Sequence, residues 1–132
     1  MIRSFPRRVD TLDDIFGFVS EFVAANGLPE SHGLDIQLVV EELFTNMVKY
    51  DRGAEQDIDV RLLPRGDRIE VALTDHGVEP FDVTQVPEPD LERPFAERRP
   101  GGIGLYLVRK LSESLEYRHA DGNSTVIVTM RR

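Results

Sequence analysis

The chain has 132 residues, of which 40% are apolar and 30% charged, and a formal net charge of −8. That length suits one domain with an ordinary core and is too short for two, and the apolar fraction excludes a wholly disordered chain. The absence of cysteine removes disulfides, thiolate zinc sites and cysteine nucleophiles, and the acidic balance argues against direct nucleic-acid binding, which needs clustered positive charge.

Taken in order, Ile2 to Phe5 reads as a short edge strand stopped by Pro6. A helix is predicted to open at Thr11, which is spaced with Asp14 as a capping box. Leu12, Ile15, Phe16, Val19, Phe22 and Val23 then follow as one apolar stripe. Asn26-Gly27 supplies a left-handed stop, and Pro29 keeps the chain from continuing. A second helix is predicted from about Gly33 to Tyr50, with Leu34, Leu38, Val39, Leu43, Phe44, Met47 and Val48 toward the core and Asp51-Arg52-Gly53 as its end. Next comes a hairpin. Ile58, Val60 and Leu62 alternate on one strand and Ile69, Val71 and Leu73 on the other, around Pro64-Arg65-Gly66-Asp67.

Between Asp75 and Pro100 the pattern breaks, and five of the eight prolines fall there. A patternless segment of that length inside a small domain reads as a functional lid, over about 78–100. A third helix opens after Gly101-Gly102-Ile103-Gly104, and a last hairpin pairs Leu115, Tyr117 and His119 with Val126, Val128 and Met130 around Asp121-Gly122-Asn123. The expected class is α+β: a two-layer sandwich in which a mixed, mostly antiparallel sheet carries three helices on one face, as a single domain over 1–132.

Three stretches depart from what packing alone asks. Glu42 and Asn46 lie four apart on one helix face, and their anionic and neutral oxygens suit Mg²⁺; the plain alternative is an exposed polar edge. Asp75, at a strand end and followed by Gly77, could accept the exocyclic amine of a base, or simply turn on its own backbone. The glycines at 101, 102 and 104 precede a helix, whose free N–H groups form an anion site; the alternative is a hinge. Neither a GxxxxGK[ST] phosphate loop nor the dinucleotide pattern is present, since no Lys-Ser/Thr follows and Leu107 stands where a third glycine belongs. Together the three describe a pocket with a base at one end and Mg²⁺-bridged phosphates at the other.

In this order the stretches resemble the GHKL (Bergerat-fold) ATPases, and most closely the small anti-sigma-factor serine/threonine kinases of bacteria. Glu42-Leu-Phe-Thr-Asn46 resembles their N box, Asp75-His-Gly77 with Phe81-Asp82 their first glycine box, and Gly102-Ile103-Gly104-Leu105 their second. The resemblance implies ATP and Mg²⁺ as cofactors. It makes Asn46 the metal ligand and gives Glu42 the attacking hydroxyl to orient or deprotonate, with Glu41 as substitute. Asp75 would hold the adenine amine, Gly77 would let the ring approach, and Gly102 and Gly104 would bring backbone to the phosphates. Thr125 sits where the family often places a threonine near the adenine.

Tyr50 stands where many anti-sigma kinases have histidine, and Asn46-Met-Val-Lys49-Tyr50 is similar to the N box of sensor histidine kinases. By that similarity Lys49 could touch a phosphate; otherwise it is solvated. Arg98-Arg99 could also reach the phosphates, and Phe95 could latch the lid. His32, His76 and His119 lack metal-ligand spacing, and Arg7-Arg8 and Arg131-Arg132 read as solvated termini.

The implied activity is phosphoryl transfer to a serine or threonine of a small STAS-type anti-sigma-factor antagonist. Phosphorylation of the antagonist would release it, and a sigma factor would then be captured. Homodimerisation is a further family expectation. The alternatives are an ATP-binding module that sequesters its partner without kinase activity, and a structural domain with no ligand. No stretch reaches the ~18 apolar residues that span a bilayer, and Met1 to Pro6 lacks a signal-peptide core; a cytoplasmic protein is expected.

Overall fold

The computed structural model describes residues 1–50, 54–85 and 102–132, with the backbone alone for Gly102 and Ile103. The lid beyond residue 85, the helix end at Asp51-Arg52-Gly53, Phe95 and Arg98-Arg99 lie outside the described residues.

Five strands form one sheet: β1 (Ile2–Phe5), β2 (Ile58–Arg65), β3 (Arg68–His76), β4 (Ser114–Ala120) and β5 (Asn123–Arg131), in the order β1-β2-β3-β5-β4. Every pairing among the described residues is antiparallel, in line with the mostly antiparallel sheet expected. Tight two-residue turns account for two of these pairings, β2 with β3 and β4 with β5. Gly66 (φ 62°) helps close the first hairpin, while Asp121 (φ 56°) and Gly122 (φ 78°) close the last, the positive φ values that a twisted hairpin turn demands.

The register sets Val60, Leu73, Val126 and Tyr117 in one row across the sheet, and Leu62, Val71, Val128 and Leu115 in the next. These rows face the core, where Val60, Leu62, Val71, Leu73 and Val128 are fully buried. The helices α1 (Leu12–Ala25), α2 (Glu30–Tyr50) and α3 (Gly102–Leu111) supply the core's other half.

In α1 the buried set is Ile15, Phe18, Val19 and Phe22. Two overlapping stripes satisfy helical spacing here, and the sheet takes the one containing Phe18, leaving Phe16 half-buried. Phe18 packs edge-on to Phe5, with ring centroids 5.8 Å apart. The expected capping box does not form. A 3-10 turn (Val9–Thr11) runs straight into α1, so Thr11 is already helical, and its hydroxyl donates to the carbonyls of Pro6 (3.1 Å) and Arg8 (2.6 Å).

Helix α2 starts three residues earlier than expected. Pro29 is the reason: its fixed φ and missing N–H suit the entry of a helix as well as the exit of the previous one. The longer helix turns Ile36, Val39, Val40, Leu43, Phe44 and Met47 inward and leaves Leu34 exposed, with Leu38 and Val48 half-buried. Gly33 lets α1 approach, since a Cβ there would stand 3.2 Å from Val23.

Candidate functional site

The C-terminal half of α2, the loop after β3 and the start of β5 border a small cleft. Leu43, Met47, Val83 and Val126 give it apolar walls, Asn46 and Ser124 put polar atoms into it, and Tyr50 and Phe81 stand at its mouth. Those two rings stack on each other, 5.5 Å between centroids and 16° from parallel.

The residues expected at the metal end do meet. Asn46 is buried, and its side-chain nitrogen has no hydrogen-bond partner among the described residues. Glu42, one turn earlier, is half-buried; burial and the neighbouring Glu41 carboxylate push its carboxyl above the ordinary value. A Cβ built on Gly104 would fall on that carboxylate. The glycine at the start of α3 is therefore also room for Glu42. Leu105 packs in the core, and Lys49 is exposed, its ammonium 5.2 Å from the Tyr50 ring centroid.

Because the obstacle is the mobile end of a side chain, Gly104→Ala should fold. It is expected to hold or raise stability, since alanine favours a helix interior by about 1 kcal/mol over glycine. A melting curve checks this.

At the other end, Asp75 is fully buried. Its Oδ1 is ion-paired with Arg7, whose guanidinium also donates to the Met47 carbonyl at 3.1 Å. Oδ2 of Asp75 is buried and accepts no hydrogen bond among the described residues. Arg7 was expected to be a solvated terminus; instead its side chain is only 10% exposed. A basic residue next to a chain end carries no local signal of a partner far along the sequence.

Gly77 follows Asp75 with φ +67°, the backbone setting that calls for glycine there. The loop it begins is held by the β4–β5 hairpin. The Gly77 N–H donates to Asn123 Oδ1 (3.3 Å), that of Val78 to the Gly122 carbonyl (2.9 Å) and that of Phe81 to the Tyr117 hydroxyl (2.8 Å). Asp82 Oδ1 then accepts from the Thr84 backbone N–H at 2.9 Å, starting a 3-10 turn (Val83–Gln85) whose carbonyls at 83 and 84 accept from Arg109 of α3. Thus residues 78–85, the start of the expected lid, are tied to the domain by hydrogen bonds at Val78, Phe81, Val83 and Thr84, while Glu79, Pro80, Phe81 and Gln85 are exposed. The histidines are occupied otherwise than as ligands: His76 meets Asp59 at 2.8 Å and His119 the Val78 carbonyl at 2.8 Å. Among the described residues no cluster of His, Asp and Glu could hold a metal alone.

Thr125 is not at the cleft. It lies on the opposite face of the sheet, its hydroxyl 3.0 Å from that of Thr74 in a shallow hollow that includes Arg118. Ser124, opposite Asp75 in the ladder, takes the cleft position and bonds the Tyr117 hydroxyl at 3.0 Å. The alternation that turns Val126 and Val128 inward also turns residue 124 inward, so the sequence contained this signal.

The donor set fits a magnesium nucleotide. In or beside the cleft lie a buried acceptor oxygen that takes no hydrogen bond among the described residues, a buried amide one turn from a carboxylate, and apolar walls. A hard cation binding mainly through phosphates and one or two protein oxygens needs no more.

One antiparallel sheet with three helices on a single face, and a cleft between α2 and the β3–β5 pair, is the two-layer α+β sandwich of the GHKL-type ATPases. The chain belongs to the histidine kinase-like ATPase domain family, which its residues 5–131 match. It is 32% identical over 94 residues to the serine-protein kinase RsbW of Halalkalibacterium halodurans, an overlap of 67% of this chain and 56% of that one. To RsbW of Listeria monocytogenes it is 30% identical over 99 residues (70% and 62%). The serine/threonine-protein kinase BtrW of Bordetella bronchiseptica is 31% identical over 96 residues (71% and 67%). The chain thus spans only about three fifths of the length of the two RsbW proteins.

Among solved structures, the RsbU and RsbW domains of a Mycobacterium tuberculosis protein superpose with a TM-score of 0.70 at 16% identity, over 99% of this chain and 31% of that one. The SiaB–SiaC complex of Pseudomonas aeruginosa gives 0.68 at 16% identity, over 98% and 88%. These two likenesses are of fold. Among the described residues no helix is long and apolar enough to cross a membrane.

Proposed function

We propose that the chain is an anti-sigma factor with ATP-dependent serine/threonine kinase activity, whose substrate is a small STAS-type antagonist in a partner-switching system. The observation that carries this is the contact of Glu42, one turn from Asn46, with Gly104 at the start of α3. It joins a carboxylate, an amide and a helix N-terminus, the parts that phosphoryl transfer needs for positioning and charge stabilisation.

In this reading Asp75 takes the adenine amine on its unpartnered oxygen, and Asn46 with the start of α3 holds the phosphates through Mg²⁺. When bound, the metal neutralises phosphate charge. Glu42 accepts the proton of the antagonist's hydroxyl as its oxygen bonds to the γ-phosphorus, the bond to the β-phosphate oxygen breaks, and ADP leaves. A carboxyl held above its ordinary value by burial and Glu41 is a stronger proton acceptor than a solvated one. The phosphorylated antagonist carries nearly two more negative charges and meets a chain of net charge −8. Repulsion favours its release, and a sigma factor takes the freed surface.

The test is incubation of the chain with Mg-ATP and its cognate antagonist, with the phosphosite mapped, beside melting curves with and without Mg-ATP. Transfer to one serine or threonine is expected. So is a stabilisation of about 2.7 kcal/mol at a hundred times the dissociation constant. Nucleotide binding without transfer would make the chain a sequestering module; no binding would remove both.

A further inference from the structure

The Arg7–Asp75 pair is the most deeply buried ion pair among the described residues and lies beside the cleft, yet nothing in the phosphoryl transfer above uses Arg7. Arg7 leaves the link between β1 and α1, passes under the end of α2 and spans two elements. One nitrogen meets the Met47 carbonyl on α2 and another meets Oδ1 of Asp75 at the end of β3. Met47 lines the cleft, and Asp75 pairs in the ladder with Ser124, which lines it too. The pairing leaves Asp75 with one oxygen bound and the other buried without a donor among the described residues.

We propose that Arg7 is a specificity-determining positioning residue, which holds Asp75 by one oxygen so that the other is a fixed acceptor for an amino group on a purine and rejects a carbonyl there. The inference rests on the reading of the cleft as a purine site. Its chemistry follows from the burial. A buried carboxylate paired with a guanidinium stays an acceptor only, and facing the C6 carbonyl of a hypoxanthine base it would set oxygen lone pairs against each other. Without the guanidinium, a buried carboxyl takes up a proton rather than remain charged and unpaired. A protonated carboxyl both donates and accepts. It can then bond either base, so the discrimination should vanish.

The experiment measures the affinities of the full chain for ADP and IDP by titration calorimetry, in wild type, Arg7→Lys, Arg7→Met, Asp75→Asn and the double variant Arg7→Met/Asp75→Asn. The probes differ at C6, an amine against a carbonyl, and at N1, a lone pair in adenine and an N–H in hypoxanthine. Wild type is expected to prefer ADP by about ten- to a hundredfold, the worth of one hydrogen bond to a charged group. Arg7→Lys should keep most of that preference, and Arg7→Met should bring the two affinities together. On the Asp75→Asn background, Arg7→Met should leave the ADP-to-IDP ratio unchanged, as expected if Arg7 acts only through Asp75.

A folded Arg7→Met protein with the wild-type ratio overturns the proposal, as does equal weakening of both nucleotides by Arg7→Met. If Arg7→Met does not fold, the lysine and double variants decide. Loss of preference in Arg7→Lys, or a ratio in the double variant that differs from Asp75→Asn, overturns it. Failure of wild type to bind either nucleotide removes the purine site itself, an outcome distinct from retained preference in the Arg7 variants.

Discussion

Glu42→Gln is expected to lower transfer to the antagonist by about 10²–10⁴-fold, the usual contribution of a general base. Mg-ATP affinity should stay within a few-fold, because Asn46, Asp75 and the start of α3 are untouched. The same substitution should slightly raise stability at neutral pH. The Glu42 carboxyl titrates above its ordinary value because burial and Glu41 disfavour its charge. The native state therefore keeps that proton to higher pH than the unfolded chain does, and stability falls as pH rises through this window. Above it the ionised carboxylate is a standing penalty, which glutamine does not carry. Wild-type and Glu42→Gln melting temperatures should accordingly converge at low pH and separate, with the variant higher, toward neutrality. Transfer rates that match in the two proteins would take the proton-accepting role from Glu42, and coincident melting curves across pH would take away the strained carboxylate.

Asp75→Ala should show the opposite balance, losing both stability and ligand. Removing one member of a buried ion pair costs about 3–5 kcal/mol, because the remaining charge is left without compensation, and here the stranded group is the nearly buried Arg7 guanidinium. Urea denaturation reads this as a lower midpoint with little change in slope. Exchanging both residues, Arg7→Met with Asp75→Asn, should recover much of the loss, since a neutral pair strands no charge. Nucleotide affinity should fall in Asp75→Ala whatever the stability, because the acceptor for the base is gone. An alanine variant as stable as wild type would show that the pair contributes little.

Much of the fold was legible because its signals are local. Alternation at Ile58, Val60 and Leu62 and at Ile69, Val71 and Leu73 placed β2 and β3, and Asp121-Gly122 placed the last hairpin. The N-box residues Glu42 and Asn46 were legible as one helix face, because helical spacing alone puts them there. What escaped depends on which neighbour an element meets. The choice of Phe18 over Phe16 is made by the sheet and by Phe5. Leu34 is exposed although Gly33 and Ile36 beside it are buried, a choice of face that hydrophobicity alone does not reveal. The pairing of Arg7 with Asp75 bridges 68 positions, and no local pattern announces it. Thr125 lies on the face away from the cleft because the strand's alternation turns Ser124 toward it, a local signal that outweighs the family resemblance.

The hairpin tip that receives the amides of Gly77 and Val78, and the Tyr117 hydroxyl that receives that of Phe81, have an effect on cooperativity. The loop after Asp75 cannot fray alone, since releasing it breaks bonds to β4, to β5 and to the turn between them. A disturbance arriving at the outer edge strand thus has a mechanical route to the mouth of the cleft, and the far margin of the sheet becomes a place from which the loop's shape can be adjusted.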